Sequence, residues 1–354
     1  MPPTTRRKPV ARKEAIATRL KGKRAGQATI AGTAEDPITI DDGPTEGKQP
    51  IWRSSSVRRP IQSLPEKLSA KTTGLNQTDF SLLDKKKVWL AKYRVTASSR
   101  SAAVTPAVGA TLVFAQEEAG TAVCISQSGL LLTCAHCIAE SYDEFDYRKR
   151  HWLVFASGTV VKAACVAWDP NRDLALLEIV AAQAFSDGAA TADAEADAKA
   201  EAGEAGEPTE LPNATQLQPK FPHVTLAVSA SALHTPLCCI GHPGSEDLEA
   251  SRPGTKTNYD VLHVSGGSFR GYAPGQDLQD NAEIGALMHN CWTYWGHSGA
   301  PIVERDSGWL IGLHSSWDDI TGMRRGVPLE AILQFVQDHK GRFGEEKLVG
   351  RGSK

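Results

Sequence analysis

Short runs of apolar and β-branched residues, punctuated by glycine and serine, dominate the middle of the chain. Ala110–Phe114, Gly120–Ser126 and Leu130–Thr133 are separated by turn residues such as Ser128-Gly129. His151–Phe155 and Thr159–Ala167 flank Ser157-Gly158, and Leu174–Val180 closes a first half. A second set follows in Val224–Val228, Leu237–Gly241, Asp260–Val264, Glu283–Met288, Ala300–Val303 and Trp309–Leu313. Runs this short at near-regular spacing predict an all-β barrel or sandwich. Two stretches break the pattern. Leu329, Ile332, Leu333 and Val336 follow the i, i+3, i+4, i+7 spacing of a helix laid on a core, with Pro328 suited to its first turn. Asp84-Lys85-Lys86-Lys87 followed by Val88-Trp89-Leu90 predicts a short helix within a connecting segment, 76–95.

Outside these runs the composition changes. Residues 1–75 are rich in Pro, Thr, Ser, Gly and Lys/Arg without sustained periodicity, which predicts a disordered tail. Residues 186–210 are mostly Ala, Gly, Asp and Glu with Lys199 as the sole base, which predicts a solvated linker between two β-rich halves. The resulting layout is a folded region over 96–340: a first half at 96–185, the linker, a second half at 215–327, and a terminal helix at 328–340. Residues 341–354 are expected to be a disordered tail.

Net charge is −2, so the whole molecule has no polyanion-binding character, but the charge is unevenly spread. Nine bases lie between Arg6 and Arg24 against one acid, Glu14. Such a run fits nuclear import or contact with nucleic acid. Nucleus or cytoplasm is the expected location. A mitochondrial leader is the alternative, weakened by the prolines at 2, 3 and 9. The start of the chain has no apolar core of a secretory signal, and no run of about 18 apolar residues predicts a membrane span. Pro37-Ile38-Thr39-Ile40-Asp41-Asp42 resembles a SUMO-interacting motif, in which Ile38, Thr39 and Ile40 would extend a partner's sheet while Asp41 and Asp42 meet a basic rim.

Seven cysteines, an odd number without a secretory signal, predict reduced thiols. Cys134-x-x-Cys137 has no second pair at zinc-finger spacing, so neither a metal nor another cofactor is expected.

Three polar residues sit where chemistry needs them. His136 ends an apolar strand among small residues, and imidazole is the usual general base near neutral pH. Asp173 abuts the apolar run Leu174–Leu177, where a buried carboxylate needs a hydrogen-bond donor and a histidine N–H would serve. Asp169, in an Asp-Pro setting, reads as a turn acid instead. Ser298 lies in Gly296-His297-Ser298-Gly299-Ala300-Pro301, a tight turn that exposes a hydroxyl and can aim the amides of Gly296 and Ser298 at one point.

In the order His136, Asp173, Ser298, these motifs resemble the trypsin-like serine peptidases of the chymotrypsin fold, closest to the HtrA-type branch. The matching stretches are Gly120–Ser126 with Gly129–His136, Asp169–Leu177, Ile240–Gly244 and Gly296–Pro301. The resemblance implies two six-stranded β-barrels with an active site between them. It further implies a Ser298 nucleophile, a His136 base, an orienting Asp173 and an oxyanion hole from Gly296 and Ser298, acting on a protein or peptide substrate. His297 and Ala300 depart from the family's usual residues, which brings in the alternative of a weak or inactive protease-fold scaffold recruited through its tail. In secreted relatives the position of Cys137 is disulfide-bonded; free thiols are expected here. No PDZ domain is expected after the terminal helix. The strand after the serine would line the S1 pocket with His314, Ser315 and Trp317. A histidine at 314 resembles enzymes that read an acidic or glutamine P1 side chain, whereas Trp317 would narrow the pocket.

Overall fold

The computed structural model describes residues 60–95, 99–115, 120–184, 219–247, 250–252 and 254–340. The basic run, the Ile38–Asp42 motif, the acidic stretch 186–210 and the tail 341–354 lie outside these residues.

Six antiparallel strands form the first barrel: β2 (Thr111–Phe114), β3 (Thr121–Cys124), β4 (Leu130–Thr133), β5 (Arg150–Phe155), β6 (Val160–Asp169) and β7 (Leu174–Ala182). Their order is β7-β4-β3-β2-β5-β6, and pairing of β6 with β7 closes the ring. Several of these strands are buried along their whole length, including Leu130–Thr133 and Thr121–Cys124. This explains why they read as unbroken apolar runs rather than alternating ones. Fully burying one leucine such as Leu132 contributes about 2 kcal/mol.

The second barrel contains β8 (Pro236–Gly241), β9 (His263–Tyr272), β10 (Leu287–His289), β11 (Pro301–Glu304), β12 (Leu310–Trp317) and β13 (Arg324–Pro328). It closes in the order β10-β13-β12-β11-β8-β9. A terminal helix, Leu329–Asp338, buries Leu329, Ile332 and Val336 of the predicted stripe, while Leu333 is only partly buried and Phe335 is buried beside them. The fold is therefore two six-stranded barrels plus a terminal helix.

Three differences from the sequence reading have physical causes. First, residues 60–75, inside the stretch expected to be disordered, carry regular structure. There β1 (Gln62–Ser63) pairs in parallel with β7, and α1 (Ala70–Thr73) is capped by a box between Ser69 and Thr72. Ile61, Leu64 and Leu68 pack on the core, so a few well-spaced apolar residues anchor a polar segment. Second, the connecting helix is long: α2 (Gln77–Lys92) starts from an Asn76 cap on the Asp79 amide and buries Leu83, Lys86 and Leu90. Buried Lys86 donates to the carbonyls of Phe114 (2.8 Å) and Ala115 (3.3 Å), which close the end of β2. A further helix, α3 (Thr105–Ala110), precedes that strand, and the Leu329–Asp338 helix becomes α4.

Third, strand positions shift in the second half. Val224–Val228 makes only a bridge between Leu226 and Leu310. The expected Asp260–Val264 strand moves C-terminally to β9, whose Ser265-Gly266-Gly267-Ser268 lacks the apolar signature. Gly267 is needed there because a Cβ would press on the Cys291 amide at 2.5 Å. Strand β13 was not expected at all, since Arg324-Arg325-Gly326 reads as polar loop.

Candidate active site

The end of β4 sets the first group. Thr133 donates through Oγ1 to the Thr121 carbonyl (2.7 Å), and the chain then enters a 3₁₀ turn, Ala135–Cys137. Trp168 from β6 donates Nε1–H to the Ala135 carbonyl (3.0 Å) and stacks on Phe145. His136 is thus held by its backbone, with its imidazole half-buried.

The β6–β7 turn sets the second group. Asp169 accepts from the amides of Asn171 and Arg172, both at 3.0 Å, and acts as the turn acid. Arg172 pairs with Asp169 (3.1 Å) and with Asp338 of α4 (2.8 Å), which ties the turn to the far end of the chain. Asp173 follows at φ 54°, a left-handed conformation that aspartate adopts more readily than most residues. Its carboxylate accepts from His136 Nδ1 at 2.8 and 3.0 Å and from the His136 amide at 3.2 Å. It also accepts from Ser315 Oγ at 2.7 Å. Burial by itself raises this carboxyl, but the His136 charge and the converging hydrogen bonds outweigh it and hold the group below the ordinary range.

The third group comes from the second barrel. Gly296 (φ 96°) and Gly299 (φ 80°) bracket the turn around Ser298, and a Cβ at Gly299 would run into the Thr121 carbonyl and Thr133 Oγ1. The amides of His297, Gly299 and Ala300 donate to Tyr294, His314 and His297 carbonyls at 2.8–3.0 Å. Among the described residues nothing accepts from the amides of Gly296 or Ser298. Ser298 Oγ lies 3.4 Å from the Ser315 carbonyl, and among the described residues it makes no hydrogen bond to His136.

His136, Asp173, Ser315 and Ser298 therefore form one connected set across the two barrels. Thr121 joins the barrels at the same place. Its amide donates to the Ser298 carbonyl (2.8 Å), and its hydroxyl donates to the Gly296 carbonyl (3.0 Å) and accepts from the His242 amide (3.0 Å). The role of Thr121 was not visible in the sequence, where it is one more β-branched residue after a glycine.

A profile of the trypsin-like peptidase domain matches residues 120–313, more than half of the chain. The chain belongs to the trypsin-like peptidases. It is a serine protease of the chymotrypsin fold. A crystal structure of the serine endoprotease from Yersinia pestis is similar at 19% identity, covering 69% of this chain and 67% of that one, with a TM-score of 0.42. No curated protein matches the chain.

Two departures from the usual trypsin-like nucleophile loop are absorbed by one glycine. His297 and Ala300 are fully buried, and a Cβ at Gly241 would overlap the His297 ring and come within 2.8 Å of the Ala300 Cβ. Gly241 on β8 thus provides the space that the larger loop residues occupy. Nδ1 of His297 lies 3.1 Å from both the amide and the carbonyl of Tyr294, which braces the turn. Burial brings its pKa down to about 3, so it braces the loop as a neutral ring.

His314 on β12 is also buried. Its Nδ1 lies 3.1 Å from Nε2 of His289 on β10, a histidine the sequence reading passed over. Burial lowers His289 to about 3 and puts His314 well below its ordinary value. Ser315, expected on the substrate side, spends its hydroxyl on Asp173. Trp317 packs against Trp295 at 4.7 Å between centroids.

Cys134 Sγ, His136 and Asp173 bring three ligand-type atoms within 4.8 Å. Burial, followed by the nearby Asp173 charge, pushes the Cys134 thiol well up. All seven cysteines are free thiols.

Proposed function

We propose that this chain is a serine endopeptidase that works through an acyl-enzyme, with Ser298 as nucleophile, His136 as general base and Asp173 as the orienting acid. In this reading Ser298 Oγ attacks the scissile carbonyl carbon and its proton passes to His136 Nε2. Asp173, accepting from Nδ1–H, fixes the tautomer and stabilises the imidazolium. The oxyanion is held by the amides of Gly296 and Ser298. His136 then returns its proton to the leaving amine, and water hydrolyses the ester by the same route.

The observation that carries this reading is the two-sided hold on Asp173, from His136 at 2.8 Å and Ser315 at 2.7 Å, with the Ser315 carbonyl facing Ser298. The two amides without an acceptor support the oxyanion role. Labelling with a fluorophosphonate probe tests the reading: wild-type protein takes up the probe at Ser298 and Ser298→Ala does not. Absence of labelling in folded wild-type protein would overturn it.

One observation favours a second reading, a scaffold with a dormant site. Ser298 Oγ faces a carbonyl rather than the imidazole, although catalytic hydrogen bonds often tighten only with substrate present. The labelling experiment separates the two. We also propose that the tail recruits the protease, in the nucleus, through Ile38–Asp42 and the basic run. Loss of SUMO binding on replacing Ile38 and Ile40 by alanine checks the first part, and a steep salt dependence of nucleic-acid binding checks the second.

A further inference from the structure

Beside the nucleophile loop lies a cavity of about 320 Å³ lined by Tyr259, Trp292, Thr293, Tyr294, Trp317 and Arg324. Its position follows from the chain. Trp292, Thr293 and Tyr294 lead directly into Gly296–Ser298. Trp317 is two residues beyond Ser315, and it pairs in register with Arg324 across β12 and β13. A side chain preceding a bond attacked by Ser298 would enter here.

The walls are aromatic, but the polar atoms give the cavity a sign. Arg324 uses one Nη on the Gly322 carbonyl (2.9 Å), and its guanidinium lies 6.0 Å from the Trp317 ring centre. Its Nε is buried without a hydrogen-bond partner, and among the described residues no carboxylate pairs with it. Thr293 is 2% exposed, and its Oγ1 likewise has no partner. The neighbouring acids are engaged elsewhere: Asp247 accepts from the Tyr294 hydroxyl (2.7 Å), and Asp318 accepts from the amides of Ile320 and Thr321. The nearby histidines, His289, His297 and His314, are buried and neutral. Arg324 is thus a half-buried cation with no carboxylate partner among the described residues, lining the same cavity as a buried hydroxyl with no acceptor. Leaving such donors unpaired is costly, and a carboxylate satisfies both: Nε and Nη2 can grip it side by side while Thr293 donates to one oxygen.

We propose that this cavity is the P1 site and that it selects an acidic residue, with Arg324 and Thr293 as the specificity-determining side chains. The assignment rests on the peptidase reading above but concerns recognition rather than chemistry. It moves the reading of an acidic side chain from His314, whose Nδ1 is spent on His289, to Arg324. The aromatic rings then serve the aliphatic part of the residue, and a cationic P1 side chain is rejected.

Two measurements separate recognition from catalysis. Using Ser298→Ala full-length protein, binding of tetrapeptides that differ only in a C-terminal Glu, Gln, Phe or Lys reads the cavity without turnover. The Glu peptide is expected to bind about 30-fold more tightly than the Gln peptide. Equal binding, or a preference for Phe or Lys, overturns the proposal. Arg324→Ala is expected to abolish the Glu-over-Gln preference, Arg324→Lys to keep part of it, and Thr293→Val to reduce it about 5-fold. Retention of the full preference in Arg324→Ala sinks the assignment even if the cavity proves acidic-selective. In wild-type protein that labels with the fluorophosphonate, kcat/KM on matched fluorogenic peptides should show the same order. If binding shows the preference but no labelling occurs, the peptidase reading falls and the recognition proposal stands.

Discussion

The two barrels share a strand count but differ inside. The first is filled with apolar side chains, Trp152, Phe114 and Phe155 among them, and its Thr111 and Thr133 spend their hydroxyls on the Ala107 and Thr121 carbonyls. The second buries His242, Asn281, His289, Thr293, His297, His314 and Arg325. Among the described residues, seven of the eight buried side-chain polar atoms without a partner lie in this second half. One barrel is a largely satisfied frame that holds His136 and Asp173 still. The other carries an unsatisfied polar interior around Ser298, at an energetic cost that the proposed recognition site would explain. On the proposed reading, a shared topology divides rigidity and recognition between its halves.

The sharpest break of that contrast is at Ser298. Ser298→Ala should lower kcat by about 10⁴- to 10⁶-fold, and adding His136→Ala should change little more, because the residues act as a unit. Additive losses measured on a fluorogenic peptide would mean that the barrels do not cooperate in one step. In the first barrel, Leu132→Ala is expected to cost about 3 kcal/mol in urea unfolding, with activity per folded molecule retained.

Gly241→Ala probes the seam of the second barrel. The new methyl meets His297, so we expect a loss of about 2 kcal/mol together with lower activity. The added change His297→Ser should restore part of both, which a double-mutant cycle would detect. A graded effect is expected in the pH dependence. His289 and His297 have folded-state values of about 3, below the ordinary 6.5, so the unfolded chain takes up protons first as pH falls. Stability is full above about pH 6.5 and drops below it by up to about 1.4 kcal/mol per pH unit for each such ring. His297→Asn should make the stability–pH curve between pH 6 and 4 shallower by about that amount. An unchanged slope would show that the ring is not held neutral.

Much of the frame was legible because its strands are apolar runs bounded by turns, and the α4 stripe repeats at helical spacing. His136, Asp173 and Ser298 were legible because each has a distinctive setting: a strand end, the edge of an apolar run, and a pair of glycines. What escaped notice was whatever depends on distant partners. Strands β9 and β13 look polar because their pairing, not their composition, makes them strands. Thr121 and Gly241 have roles defined by residues more than fifty positions away, and nothing local distinguishes them. Arg324 reads as loop charge until β12 and β13 are paired and the cavity appears.

The parallel pairing of β1 with β7 has a consequence for the order of assembly. Gln62 and Ser63 meet Ala181 and Ala182, the last residues of the first barrel. Gln183 adds side-chain bonds to the carbonyls of Pro65 and Glu66, both at 2.8 Å. During synthesis the strand partner of this N-terminal strap therefore exists only once the whole barrel has been made. Contacts so far apart in sequence close late, after the loops between them have been ordered. The first part of the folded region to leave the ribosome is thus among the last to find its place, and its docking marks the completion of the first barrel.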